Sequence, residues 1–495
     1  MKIDRRKFVR NSIGLAGISS LNLPVFGASN AGALIPPFGP PVGAGEKQIF
    51  ADDRMINVLK GLHRKAHAAG KLEKPVLEAD KPWEKGEMID GKRDRRIYIY
   101  GTVLKDQESG NFRMWYNRIR NSYYATSPDG VNWERPVVNP VEKNNMINLF
   151  EFHSPSFIYD QWEKDPSKRY KAVGSGNKVG YMAAYSADGI NWKLYPKNPI
   201  LESSDTITLA QDPVTHEYLA FHKTYKYPGI KGRQIFLSVS NDMQNWSPPE
   251  PVMVTDETDH LEARRLPDGT HSEFYNMSAF PYAGQWLGLV THFRRTGEPK
   301  VKKGSGWAQS NAEGPIDIQL VHSRDGRSWN RCSDRSPVIA LGPYAYDSGS
   351  ILGVCNTPVI QGDEMWMYYT AMTTTHGGYL PDKVMSIARA SWRIDGMVSL
   401  RAEKEEGFVE TVLLKPDGRQ LIVNVDAGSG MLLSELTDEN GQPLEGYAKQ
   451  DCVPVQADSV RQPIGWRNKN TLPENRAFRI RFYLKSGDLF SYTIQ

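Results

Sequence analysis

Several carboxylates in this chain stand just before runs of strand-forming residues, and acids gathered that way can move protons. Glu84 follows Pro82-Trp83, and Asp94 precedes Arg95-Arg96. Glu151 and His153 open the run Glu151-Phe152-His153-Ser154-Pro155-Ser156. Asp205 lies in Ser203-Ser204-Asp205-Thr206, and Glu273 and Tyr275 lie in His271-Ser272-Glu273-Phe274-Tyr275-Asn276. Asp347 sits in Tyr346-Asp347-Ser348-Gly349-Ser350. If these runs are the innermost strands of a ring of sheets, the acids converge on one funnel. Crowded like charges raise at least one pKa and leave the others ionised. Glycosidic bond cleavage requires that division, with one protonated acid for the leaving oxygen and one carboxylate as base or nucleophile. Glu84, Asp205, Glu273 and Asp347 are the expected catalytic acids. Asp94, Glu151, His153, Lys223, Tyr275 and His376 are the expected substrate-binding residues. His153 lies two positions after Glu151, so on a strand both face the same side. Lys223 ends the strand-like Tyr218-Leu219-Ala220-Phe221-His222, and His376 follows the apolar run Met365 to Met372.

The elements that would hold these residues are announced by a repeated phrase. It reads Ser127-Pro128-Asp129-Gly130-Val131-Asn132-Trp133 and Ser186-Ala187-Asp188-Gly189-Ile190-Asn191-Trp192. It returns as Ser240-Asn241-Asp242-Met243-Gln244-Asn245-Trp246 and Ser323-Arg324-Asp325-Gly326-Arg327-Ser328-Trp329, with a worn copy at Ser391-Trp392-Arg393-Ile394-Asp395-Gly396. Asp-Gly tolerates the positive φ of a tight hairpin, and the Ser and Asp side chains can bind the turn's own amides. The Trp opens the next strand and fills the gap between neighbouring sheets. A spacing of roughly 55–85 residues with four strands per unit predicts β-propeller blades. The regular pattern places a five-bladed propeller over residues 48–400. After it the phrase stops, and short alternating strands such as Phe478 to Leu484 and Leu489 to Ile494 predict a β-sandwich over 401–495. The excess between Trp246 and Trp329 includes Arg294 to Gly306, read as a loop at one end of the propeller.

The formal net charge is +4, and residues 1–31 alone carry that excess, so the body is near neutral. That excludes a nucleic-acid binder, which needs clustered Lys and Arg. Residues 1–31 read as an export signal: Arg5-Arg6-Lys7-Phe8-Val9, a short apolar middle, then Ala28-Ser29-Asn30-Ala31. The adjacent arginines are of the twin-arginine type, implying a folded bacterial protein released to the periplasm or beyond, with no membrane anchor after cleavage. Leu34 to Gly45, rich in Pro and Gly, extends a linker over 32–47. Cys332, Cys355 and Cys452 lack metal-ligand spacing, and no disulfide is expected. No phosphate loop, dinucleotide fingerprint or Gly-x-Ser-x-Gly elbow is present, so neither cofactor nor metal is expected.

The Ser-x-Asp-Gly-x-x-Trp hairpins, the acid-led inner strands and the C-terminal sandwich together resemble the five-bladed propeller glycosidases of the invertase/inulinase and arabinanase/xylosidase types. The resemblance covers residues 48–495 at the level of architecture. It implies an acid on the first blade as base or nucleophile, a second that tunes pKa and a third as general acid. The nearest matches are Glu84 or Asp94, then Asp205, then Glu273. Neither Asn-Asp-Pro-Asn-Gly nor Arg-Asp-Pro occurs, and Gln211-Asp212-Pro213 reads as a hairpin turn. The sialidase box differs because here Gly follows Asp directly.

The expected function is an exported glycoside hydrolase acting on a plant or algal polysaccharide or oligosaccharide. Two alternatives stand beside it. A non-catalytic carbohydrate-binding propeller would use amides and aromatics more than crowded acids. A polysaccharide lyase would pair a tyrosine with a histidine, such as Tyr275 with His153.

Overall fold

The computed structural model describes residues 43–495 apart from 107–108, 150–151, 177–178, 203–204, 225–226, 299–309 and 333. The export signal, most of the linker, Glu151 and the greater part of the expected loop at 294–306 lie outside the described residues.

Among the described residues, five antiparallel sheets follow one another between Tyr98 and Arg393, after a two-stranded pair of Lys85–Ile89 and Lys92–Arg95. The first holds Val103–Lys105, Phe112–Arg118 and Asn121–Ser127, its inner edge extended by the Tyr98–Asn117 backbone pair. The second runs Phe152–Tyr159, Tyr170–Gly176, Gly180–Ser186, Trp192–Leu194. The third runs Ile207–Gln211, Tyr218–His222, Ile235–Ser240, Glu250–Met253. The fourth runs His271–Tyr282, Gln285–Arg295, Ile316–Ser323, Trp329–Arg331. In the fifth, Ser350–Val354, Glu364–Met372 and Met385–Arg393 are followed not by a strand of their own but by Gly70–Lys71 from the N-terminal region. Arg294 and Arg295, expected in a loop, instead end the second strand of the fourth sheet.

The inner strands are tied around one axis by buried polar groups. Asn356 donates to the carbonyls of Phe157 and Leu209 at 2.7 Å each. Ser278 Oγ donates to Val354 O at 2.8 Å, and Ile99 N to Thr370 Oγ1 at 2.8 Å. Thr102 Oγ1 donates to Phe157 O, Leu209 N to Ser156 Oγ at 3.0 Å and Thr208 Oγ1 to Met277 O, so each sheet is tied to the next and the fifth to the first, and the ring closes, as expected for a propeller. Most buried polar atoms in a protein core are partnered in this way.

The repeated phrase does its expected work. In the first copy Asp129 Oδ1 accepts from the amides of Val131 and Asn132 at 2.8 Å, and Ser127 Oγ accepts from Gly130 N at 2.9 Å. The same bonds recur around Asp188, Asp242 and Asp325. Met243, with φ +66, takes the left-handed position that glycine holds elsewhere. Its side chain is fully buried between the second and third sheets, which is why a methionine stands there. Trp192, Trp246 and Trp329 each donate Nε1 to the carbonyl three residues earlier. In the first copy the Tyr368 hydroxyl donates to that carbonyl, Gly130 O, instead.

The worn fifth copy is not a blade hairpin. Buried Asp395 accepts from Lys47 at 3.0 Å and Ser491 at 2.8 Å, joining the propeller to the second module. That module is two packed sheets around Leu400, Val423, Leu432, Trp466, Phe482 and Tyr492. One sheet orders His63–Ala66, Val398–Ala402, Gly487–Ile494, Leu421–Asp426 and Asp458–Pro463, with Lys47–Ile49 also on Gly487–Ile494. The other orders Ile56–Lys60, Gly407–Thr411, Arg479–Lys485 and Met431–Thr437. Lys47, expected in the linker, and residues 48–66, expected within the propeller, therefore supply strands to the sandwich. Short strands find the hydrogen-bonding edge open to them, whatever their place in the sequence.

Candidate active site

In an antiparallel sheet the start of the first strand, the end of the second and the start of the third lie at one end. At that end of the ring the third and fourth sheets bring a compact charged group together. Asp205 precedes the inner strand of the third sheet, and Lys223 follows its second strand. Lys223 Nζ donates to Asp205 Oδ2 at 2.8 Å, and His153 Nε2, from the second sheet, lies 3.1 Å from Asp205 Oδ1. His153 Nδ1 faces Ile119 O at 3.3 Å and the Tyr98 hydroxyl at 3.4 Å. Lys223 Nζ also stands 3.7 Å from the centre of the Tyr275 ring, a cation–π contact made while the ammonium is buried.

Across Tyr275, on the fourth sheet, Glu273 Oε2 accepts from Arg233 at 2.7 Å and from Arg295 at 3.2 Å. His271 Nε2 lies 3.7 Å from Glu273 Oε1. Gly232 keeps this approach open, since a Cβ there would lie 2.7 Å from Glu273 Oε1. His376 packs its ring 5.1 Å from Tyr275 and 4.9 Å from Phe293, with Nδ1 2.8 Å from Ala312 O. Asp205, Glu273, His153, Lys223, Tyr275 and His376 thus share one mouth.

The electrostatics differ from expectation. Burial alone would raise the Asp205 carboxyl, but the Lys223 ammonium and His153 outweigh it and hold it well below the usual range. Burial likewise opposes ionisation of Glu273, and Arg233 and Arg295 prevail and lower it. The acids do not repel one another into a raised pKa, because basic side chains separate them. Burial brings Lys223 down to about 8 despite Asp205, and brings the imidazole of His376 down to about 3. Lys383, at the same end of the fifth sheet, falls to about 7 through burial and the nearby Arg96. The acids held above their ordinary range, Asp259, Glu262 and Asp317, lie elsewhere on the fourth sheet and its helix Glu257–Arg264. Burial takes Asp317 up to about 6, although Arg294 bonds to it. Arg294 and Arg295 are successive on a strand, so they serve opposite faces.

Two expected catalytic acids are not at the mouth. Glu84 is fully buried, bonded to Tyr116 and paired with Arg135 Nε at 2.7 Å. Asp347 is fully buried, with Lys71 Nζ at 2.5 Å and the Tyr369 hydroxyl at 2.9 Å. Both lock segments of the fold together, so neither stands where the expected catalytic role would place it. Asp94 is buried beside the mouth, held by Arg96 Nε at 2.6 Å and Arg118 at 3.4 Å. Sequence reasoning missed Arg233, Arg295, Arg96, Lys383 and Tyr98. The signal lay in the strand ends: apart from Lys223 and His376, the expected residues came from the starts of inner strands, whereas Arg295 ends a second strand and Arg233 and Lys383 precede third ones.

No protein-family model and no curated protein sequence matches the chain. Among solved structures it is similar to an N-acetylgalactosamine deacetylase from F. plautii in complex with blood group B trisaccharide, at 15% identity and a TM-score of 0.43, covering 68% of this chain and 97% of that one. It is also similar to the Bombyx mori GH32 β-fructofuranosidase, at 10% identity and a TM-score of 0.39, covering 86% and 94%. A third similarity is to a structure described under the GH130 family of mannoside phosphorylases, at 12% identity and a TM-score of 0.38, covering 70% and 96%.

Proposed function

We propose that this protein is an exported glycoside hydrolase whose working carboxylates are Asp205 and Glu273. The observation that carries the reading is their placement on adjacent sheets on either side of Tyr275, at the one end of the ring where the expected site residues meet. Asp205 keeps 27% of its side chain accessible and is held ionised, the condition of a base or nucleophile. Glu273 is 5% accessible and ionised only through its two arginines. A sugar that draws those arginines to its own oxygens leaves burial to dominate, so Glu273 takes a proton from solvent as the sugar enters and passes it to the leaving oxygen. His153, 38% accessible beside Asp205, gives a donor for a sugar hydroxyl. Residues 1–31 support export by the twin-arginine route, with the mature protein free in the periplasm or outside the cell.

The test is release of reducing ends from a glycan panel, read by mass. Asp205→Asn and Glu273→Gln should each lower turnover by about 10²–10⁴-fold while the far-ultraviolet spectrum stays that of the wild type. Full activity in both variants overturns the assignment.

One observation favours a second reading, a polysaccharide lyase. Both acids are ionised in the free protein, and a lysine titrating near 8 stands against Tyr275, an arrangement suited to proton abstraction beside a uronate carboxylate. Products with the ultraviolet absorbance of an unsaturated uronate, and no hydrolytic products, would select it.

A further inference from the structure

The hairpin tip at Ile119 separates the Asp205 group from a second hollow. Its backbone is in the left-handed region, with φ +56, and its carbonyl faces both Tyr98 and His153. On its other side Ile119 lines a cavity of about 520 Å³. The charged groups on that wall are Lys85, Arg93, Arg96 and Arg118 against Glu87 and Asp94. Asp94 is fully engaged: Oδ1 takes Arg96 Nε at 2.6 Å, and Oδ2 takes Arg96 at 2.8 Å and Arg118 at 3.4 Å. One carboxylate thus serves two guanidinium groups. Arg118 keeps a buried Nε with no hydrogen-bond partner among the described residues. Buried donors, charged ones above all, are costly to leave unmatched. Gly86 holds the space open: a Cβ there would fall 2.2 Å from Arg118 Nη2 and 2.6 Å from Asp94 Oδ2.

We infer that this cavity is a subsite for an anionic group on the glycan, a carboxylate or a sulfate ester, carried by a sugar next to the one held at Asp205. The inference rests on the reading of the mouth as a glycan site. Planar or tetrahedral oxyanions accept paired N–H bonds from guanidinium groups, and Arg118 and Arg93 offer them in a partly enclosed hollow where the attraction is weakly screened. A neutral sugar would leave the surplus positive charge unmatched. The carboxylate and the sulfate ester share this chemistry, and the experiment separates them.

Binding is measured by calorimetry with the wild type and with Asp205→Asn. The probes are two matched pairs: galacturonate oligosaccharides against their carboxyl-reduced forms, and chondroitin sulfate oligosaccharides against their desulfated forms. In at least one pair the anionic member should bind about tenfold more tightly, and the pair that shows it names the anion. Arg118→Gln should shrink that preference to about threefold or less. Arg93→Gln, at an exposed rim position that the fold tolerates, should shrink it in the same direction. Arg461→Gln, in an exposed pair with Asp363, should leave it unchanged. Equal binding within both pairs, or a preference that survives both Arg118→Gln and Arg93→Gln in proteins that melt normally, overturns the subsite. An anionic preference without any bond cleavage sinks the hydrolase reading and leaves the subsite standing. Cleavage of neutral glycans without the preference does the reverse, and no binding to any probe removes the subsite.

Discussion

A lysine ammonium 2.8 Å from a carboxylate keeps it paired only while the ammonium holds its own proton. Burial draws Lys223 down to about 8, so the pair with Asp205 is intact below that pH and dissolves above it. Asp205 itself stays ionised far into the acid range, because its pKa is depressed. The pH profile of kcat/KM should therefore show an alkaline limb near 8 that belongs to Lys223. Arg does not lose its proton in this range, so Lys223→Arg should move the limb upward by more than about one pH unit. A limb unmoved in that variant would assign the titration to another group. At this scale the sequence was informative about which residues enter the mouth and uninformative about their charge state. The partners that neutralise Glu273 lie 40 and 22 residues away, and the ones that make Glu84 and Asp347 structural lie 51 and 276 residues away. An acid before a strand looks the same in sequence whether or not a distant cation reaches it.

Among the elements, the repeated turn was the most legible part of the fold, because its bonds run between residues two and three apart. Met243 shows how packing overrides turn preference. Replacing it by Gly would relieve an αL residue, worth about 1–2 kcal/mol. It would also empty a buried methionine from the core, which costs about 2–5 kcal/mol. The second effect is larger, so Met243→Gly should be destabilising, with a lowered midpoint in chemical denaturation. A stabilised variant would show that the backbone strain dominates. The short strand Gly70–Lys71 was not legible at all, since two residues carry no periodicity. What holds it is Lys71, whose Nζ donates to Ala340 O, to Gly342 O at 2.7 Å and to Asp347 at 2.5 Å. With 5% and 0% of these two side chains accessible, removing the cation strands a buried charge. Lys71→Met should cost about 3–5 kcal/mol in thermal or denaturant unfolding. Activity at low temperature should persist, because the pair is apart from the mouth. If Lys71→Met kept full stability but lost turnover, Asp347 would have to be returned to the catalytic group.

At the scale of the molecule, the two modules share the N-terminal region. Lys47–Ile49, Ile56–Lys60 and His63–Ala66 complete the sandwich, and Gly70–Lys71, a few residues later, closes the fifth sheet of the ring. The segments INVLK and HRKA are short and show little of the alternation that marked the C-terminal strands, so they were expected within the propeller. The physical boundary is not a point on the chain. Removing 401–495 would leave Ile56–Lys60 without its partner Gly407–Thr411, and would take from His63–Ala66 the strand Gly487–Ile494 that backs its neighbour Val398–Ala402. Asp395 would lose Ser491 and keep Lys47, whose own strand pairs with the removed one. With that anchor gone, Gly70–Lys71 is left to the bonds of its own stretch, such as Ala69 N to Val338 O at 2.8 Å and the three bonds of Lys71, without the sandwich strands that lead into it. Residues 43–400 and 401–495, produced separately, should each fail to give a cooperative melting transition. The intact protein from residue 43 should unfold in one transition followed alike by intrinsic fluorescence and by circular dichroism. Two separated transitions in the intact protein, or a folded and active 43–400 fragment, would show that the ring closes without the sandwich.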